Sequence, residues 1–144
     1  MRHIIYNCIR TPDGTELHSR SVHDYCSYTD ANGGVYVNDG GNQYLRRSKN
    51  VIPATDLTVY ADDDHELIRE VFKWGTYGKS QDFNRGCTYV PISKLSNKHV
   101  EAIIETQAHL PKHMRDIFED ELEYRLKHSE YVEEVEDYRI SMAL

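Results

Sequence analysis

The sequence has only three cysteines, Cys8, Cys26 and Cys87, and no CxxC spacing among them. An odd, scattered set excludes a disulfide framework and points to a reducing compartment, the cytoplasm. No stretch approaches the roughly eighteen apolar residues of a membrane helix. The opening MRHIIYNCIR also lacks a signal-peptide core, so neither a spanning nor an exported chain is expected. Positive charge is scarce where acid is dense: the net charge is −7, and residues 101–144 carry five Lys/Arg against twelve Asp/Glu. That surface repels a polyanion and disfavours general DNA or RNA binding, while leaving room for a small phosphorylated ligand held by a few arginines. A glycine is missing too. KWGTYGKS at 73–80 ends like a phosphate-binding P-loop, but GxxxxGK[ST] needs glycine where this chain has Lys73. A helix expected just before it, in place of the P-loop's strand, also counts against nucleotide hydrolysis. No nucleophile elbow, HExxH or paired-carboxylate motif stands out, so no catalytic residue is assigned.

What is present suits one soluble domain over 1–128 followed by an acidic extension over 129–144. Apolar residues make up 39% of the 144, charged residues 28%, and eleven tyrosines outnumber three phenylalanines and one tryptophan. Tyrosine favours half-buried positions with a wet hydroxyl, as at pockets and interfaces. HIIYNCI reads as a strand, TPDGT as a turn with Pro12 for its fixed φ and Gly14 for its left-handed corner, and LHSRSVHDYCSY as the return strand. The turns TDANGG and NDGG flank VYV, and QYLRR follows, giving a three- or four-stranded meander. Leu67, Ile68, Val71 and Phe72 then recur at helical spacing, behind a capping-box pair Asp63 and Glu66, in a short helix ending near Gly75. CTYVPI is a further strand. Ser96 caps a second helix with Val100, Ile103 and Ile104 on one face, and Pro111 opens a third whose Met114, Phe118, Leu122 and Leu126 form a stripe. The expected class is α+β: an N-terminal antiparallel β-meander packed against a short helix and a C-terminal αα-hairpin. For the tail, with Val132, Val135 and Tyr138 between acids, a helix docking on a partner subunit and a solvated end are both open.

Metal sites are disfavoured. The run Asp62-Asp63-Asp64-His65-Glu66 points its side chains in different directions along a helix and reads as a cap. His18, His23 and Cys26 share one expected strand, but positions 18 and 23 have opposite parity and would face opposite sides of the sheet. The better constellation is basic and aromatic: Arg46 and Arg47, then Phe72, Trp74 and Tyr77, then Lys79, Asn84 and Arg85. Guanidinium forks grip phosphates, aromatic faces stack purines, and nearby glycines admit backbone N–H donors. Against this stands a plain reading in which Phe72 and Trp74 are core. Arg10 and Thr11 form a second, weaker set.

The blocks RHIIYNCIRTPDGTELHSRSVHDY, VNDGGNQYLRR, IREVFKWGTYGK and ELEYR, in that order over residues 2–126, resemble the phage Thoeris anti-defence family of the first type. The resemblance implies a non-enzymatic sponge without a cofactor that sequesters a cyclic ADP-ribose isomer in the host cytoplasm, and so blocks immune signalling. It implies an aromatic stacked on adenine, arginines on the pyrophosphate, and a pocket at a subunit interface of a homo-oligomer, dimer or hexamer. Phe72 would then be the stacking residue, Arg47 the phosphate ligand and Asn84 a polar partner, with Arg10 and Thr11 at a separate site for cyclic oligonucleotides. SQDFNRGC at 80–87 departs from the plainer Gly/Asp turn of the family, which weakens the Asn84 assignment, and residues after 126 have no counterpart. Two rivals stand beside this reading. A small phosphoesterase or nucleotide hydrolase would depend on histidines such as His23 or His65, and an acidic protein-binding inhibitor would depend on the segment after Lys127.

Overall fold

In the computed structural model, which describes residues 2–76 and 88–134, IIYNCIR forms strand β1 (Ile4–Arg10). After a turn it pairs antiparallel with β2 (Glu16–Ser19), Asn7 lying opposite Ser19. The return strand was expected to run on to Tyr28, but it stops at Ser19. Ser19 Oγ donates to Asp24 O at 2.7 Å and Arg20 N donates to Asp24 Oδ2 at 2.9 Å, so local side-chain bonds replace the ladder. The chain then enters a second sheet, ordered β3 (Cys26–Thr29), β4 (Val35–Asp39), β5 (Arg46–Arg47). His18 and Cys26 therefore sit on different strands, and His23 lies between them in the turn. Two short strands that the sequence reading missed, β6 (Thr55–Asp56) and β7 (Val59–Tyr60), pair along the other edge of β1. One meander is thus replaced by a four-stranded and a three-stranded sheet, all antiparallel. These lie in the first of two compact units, Met1–Asp64 and His65–Leu144.

The two hairpin tips of the first unit are tied by one carboxylate. Asp13 accepts from Thr11 Oγ1 at 2.8 Å, Thr15 N at 3.0 Å, Tyr28 OH at 2.8 Å and Ala31 N at 3.0 Å. Donors on Thr15, Thr11 and Tyr28 hold its pKa well below the usual carboxylate range. Because the folded pKa is depressed, its contribution is complete above the unfolded value of about 4 and is lost as pH falls below it. Asp13→Asn should therefore flatten the acid limb of the melting curve: between pH 5 and pH 3 the wild-type Tm should fall further than that of the variant. Parallel curves would show that the latch contributes nothing.

Asp63 does not form the expected capping box, since its carboxylate takes Tyr60 N at 2.8 Å and Arg2 Nη2 at 2.8 Å. The second unit opens with helix α1 (His65–Val71), where Phe72 N closes the last turn on Ile68 O at 2.8 Å. The helix was expected to reach Gly75. Instead Lys73–Thr76 is strand β8, paired with β9 (Thr88–Pro91), Trp74 opposite Val90. Trp and Thr favour extended backbone and Gly75 is a poor helix former, so cross-strand pairing wins. The helix that ends at Val71 still precedes the broken P-loop, whose first residues Lys73–Thr76 are themselves strand, so the missing glycine and the preceding helix both argue against a phosphate-binding P-loop.

After a 3-10 turn at Ile92–Lys94 come α2 (Asn97–Thr106) and α3 (Lys112–Lys127). Ser96 Oγ accepts from His99 N at 3.0 Å, the cap expected, and Pro111 is the N-cap of α3. Arg115 fixes the hairpin by donating to Ile104 O at 2.8 Å and Gln107 O at 3.2 Å, carbonyls at the end of α2. The core here is Ile68, Phe72, Ile92, Leu95, Val100, Ile103, Ile117 and Phe118. The expected α3 stripe fails, with Leu126 83% exposed. Residues four apart advance by about 400°, so three such steps drift by roughly 120° around the helix. The face that is buried runs through Ile117, Phe118, Glu121 and Arg125, with alternating spacings that stay in line. The first residues of the acidic extension are pinned back: Asn97 N donates to Val132 O at 2.9 Å and Arg69 Nη2 meets Glu130 Oε1 at 2.7 Å. Val135 and Tyr138 lie outside the described residues. The chain as a whole is α+β, with N-terminal antiparallel strands and a C-terminal helix pair. No helix among the described residues is long and apolar enough to cross a membrane.

Candidate ligand pocket

The first unit has an unusually polar interior. Asn7 and Asn38 are 1% and 0% exposed beside the apolar Cys8, Ile9, Tyr36 and Val59. Asn7 Nδ2 donates to Gly41 O at 2.9 Å, and Asn38 Nδ2 donates to Asn7 O at 3.1 Å and Leu17 O at 2.8 Å. These bonds leave both side-chain oxygens facing Arg47. Its Nε donates to Asn38 Oδ1 and its Nη2 to Asn7 Oδ1 and Thr58 Oγ1, each at 2.8 Å, while Nη1 reaches Asp56 Oδ1 at 3.2 Å. Four of the five guanidinium N–H groups are engaged, which leaves one on Nη1 with no partner among the described residues.

That arginine lines a concave pocket of about 260 Å³ together with Ile9, Tyr36, Lys49, Asn50 and Asp56, among others. Strand β4 places Tyr36 and β1 places Ile9, while Arg47 ends β5 and the chain beyond it carries Ser48, Lys49 and Asn50 around the wall. Ser48 Oγ accepts from Val37 N at 3.0 Å and donates to Asn50 Oδ1 at 2.6 Å, and Asn50 Nδ2 donates to Val35 O at 2.9 Å. Lys49 has no ion pair among the described residues. Burial pushes the Asp56 pKa up, but the side-chain and backbone donors of Thr58, followed by Arg47, outweigh it and hold the group below its ordinary value. The wall therefore carries two cations and one firmly ionised carboxylate. Among the described residues, no histidine or cysteine lines it.

Of the described residues among those singled out in the sequence, Arg47 alone lines this pocket. Arg46 points elsewhere, its side chain 70% exposed and 3.9 Å from Asp39 Oδ2. Arg10 is exposed at the end of β1, opposite Glu16 and Thr55. Thr11 is 3% exposed and serves the Asp13 latch. Phe72 and Trp74 belong to the second unit. Phe72 is 6% exposed, and Phe118 packs against both rings, with centroids 5.8 Å from Phe72 and 5.3 Å, edge-on, from Trp74. Tyr77, Lys79, Asn84 and Arg85 lie outside the described residues.

Sequence reasoning missed Lys49, Asn50, Asp56 and the two asparagines. One signal was present, since Arg47 and Lys49 share parity after a strand and so share a side of it. His65 is taken up in another way: its Nε2 lies 2.9 Å from Glu121 Oε1 inside the second unit. No protein-family model, curated protein or solved structure matches the chain.

Proposed function

We propose that this protein is a phage anti-defence sponge that binds a cyclic ADP-ribose isomer in the host cytoplasm without cleaving it, and so silences Thoeris signalling. The observation that carries the reading is the Arg47 pocket. A guanidinium held rigid by Asn7, Asn38, Thr58 and Asp56 keeps one N–H without a partner among the described residues, beside Tyr36 and Lys49, which likewise has no ion pair among them. Preorganised cations reduce the ordering cost of binding a phosphate, and sequestration asks for no general base. The resemblance in the blocks VNDGGNQYLRR and IREVFKWGTYGK adds the ligand class. A volume of about 260 Å³ is below the roughly 300–1,000 Å³ of drug-sized sites, so the pocket takes one phosphate and its sugar. The remainder of a cyclic ligand would be covered by a second subunit of a homo-oligomer. Cyclic oligonucleotides bound near Arg10 and Thr11 belong to the same proposal.

Isothermal titration with the cyclic ADP-ribose isomer, followed by heat release and mass analysis of the freed ligand, tests it. Tight binding and recovery of intact ligand are expected; no binding, or a hydrolysed product, would overturn the reading. Lys49→Ala should weaken binding about tenfold, the value of one exposed charge-assisted contact, with an unchanged melting temperature. Arg47→Ala is a poorer probe because it orphans the side-chain oxygens of Asn7 and Asn38 as well.

A further inference from the structure

We infer that Asp56 is a specificity residue of this pocket, accepting a hydrogen bond from a sugar hydroxyl and so selecting ribonucleotides over deoxyribonucleotides. The inference rests on the reading that the Arg47 pocket takes a phosphorylated ligand. Asp56 Oδ1 is fully used: Thr58 N donates to it at 3.0 Å, Thr58 Oγ1 at 2.6 Å and Arg47 Nη1 at 3.2 Å. Three donors on one oxygen lock the carboxylate, while Oδ2 has no partner among the described residues. An ionised carboxylate is an acceptor only. It repels phosphate and base carbonyls, so whatever part of the ligand meets it must carry a donor.

Two ligand groups supply such donors beside a phosphate, a sugar hydroxyl and an exocyclic base amine. The pocket volume of about 260 Å³ favours the hydroxyl, because the sugar is attached to the phosphate and the base lies further out. The wall then divides its work. Lys49 and the remaining Arg47 N–H meet the phosphate, and Asp56 reads the sugar, as acidic residues do when they bind ribose hydroxyls in other nucleotide sites.

The test is titration of the full chain, up to millimolar ligand, with adenosine monophosphate, inosine monophosphate, 2′,3′-dideoxyadenosine monophosphate and pyrophosphate. Wild type should bind adenosine and inosine monophosphates alike and the dideoxy nucleotide about tenfold more weakly, the value of one hydrogen bond to a charged acceptor. In Asp56→Asn that ratio should fall to about one, with folding checked by its melting temperature. Equal affinity of wild type for ribo- and dideoxynucleotide would overturn the inference and leave the pocket standing. Loss of affinity with inosine alone would do the same, assigning Asp56 to the base amine. Failure of all four probes, pyrophosphate included, would overturn the inference together with the phosphate pocket on which it rests. The wild-type comparison needs no variant, so a poorly folded Asp56→Asn does not block the test.

Discussion

Glu121→Ala should destabilise the protein by about 3–5 kcal/mol, as expected when one member of a buried ion cluster is removed. The Glu121 side chain is 0% exposed, and those of Arg69 and Arg125 are 9% and 1% exposed. Arg69 grips Glu121 as a fork, Nε to Oε1 at 2.9 Å and Nη2 to Oε2 at 2.8 Å, while Arg125 Nε reaches Oε2 at 2.6 Å. His65 completes the set. Without the carboxylate, the buried Arg125 would have no acidic partner among the described residues, and Arg69 would keep only the more exposed Glu130 and Glu70. Arg125 would keep its bonds to Asn97 Oδ1 and Ile92 O, both at 2.8 Å, and so could not swing out to water without breaking them.

Burial raises the Glu121 pKa, but hydrogen bonds from His65, Arg69 and Arg125 outweigh it and hold the group down to about 2. A depressed folded pKa contributes stability that is complete above about pH 4.5 and is lost as pH falls through about 2. The gap in unfolding free energy between wild type and Glu121→Gln should therefore be widest near neutrality and shrink below pH 4.5. Urea denaturation across that range measures it. A pH-independent gap, or a Glu121→Ala loss below 1 kcal/mol, would mean that the cluster is not closed as described.

Gly41→Ala is the second large effect, expected at about 3 kcal/mol or more from added strain and overpacking. Gly41 has φ 53°, and a Cβ there would collide with the backbone carbonyl carbon, Cα and oxygen of Ser21. These are main-chain atoms and cannot rotate away. The residue is also tied from both sides, its N–H donating to Ser19 Oγ at 3.0 Å and its carbonyl accepting from Asn7 Nδ2 at 2.9 Å. Moving it aside would pull Asn7 away from Arg47 and reach the pocket. At Gly40, with φ 103°, a Cβ would meet the carbonyl oxygen of Tyr44, so Gly40→Ala should behave alike. Denaturant midpoints report both, and a Gly41→Ala protein as stable as wild type would show that the turn has another conformation.

How far the chain could be read without coordinates differs by level. HIIYNCI, VYV and CTYVPI were recognisable as strands because β-branched and aromatic residues declare themselves locally, and Ser96 because its cap bond spans only three residues. The break after Ser19 was harder. LHSRSVHDYCSY has strand composition throughout, and what ends the strand is the set of bonds to Asp24. Strands β6 and β7 are two residues each, too short for any periodicity, and exist because β1 offers an edge. Reading α3 by i+4 spacing alone chose Leu126 and passed over Glu121 and Arg125, because composition marks those residues as surface.

By itself, then, the sequence determined the α+β class, the principal strands and their turns, and the helix pair with its Ser96 cap, all from interactions within a few residues. Only the tertiary structure decided which polar groups are interior. Arg47 meets Asn7 across 40 positions and Arg69 meets Glu121 across 52. The cost of burying a charge is met only where distant partners converge, and no local pattern records that convergence. The Arg47 pocket follows from the same rule, since its rigid cation is held by residues that look, in sequence, like ordinary strand asparagines.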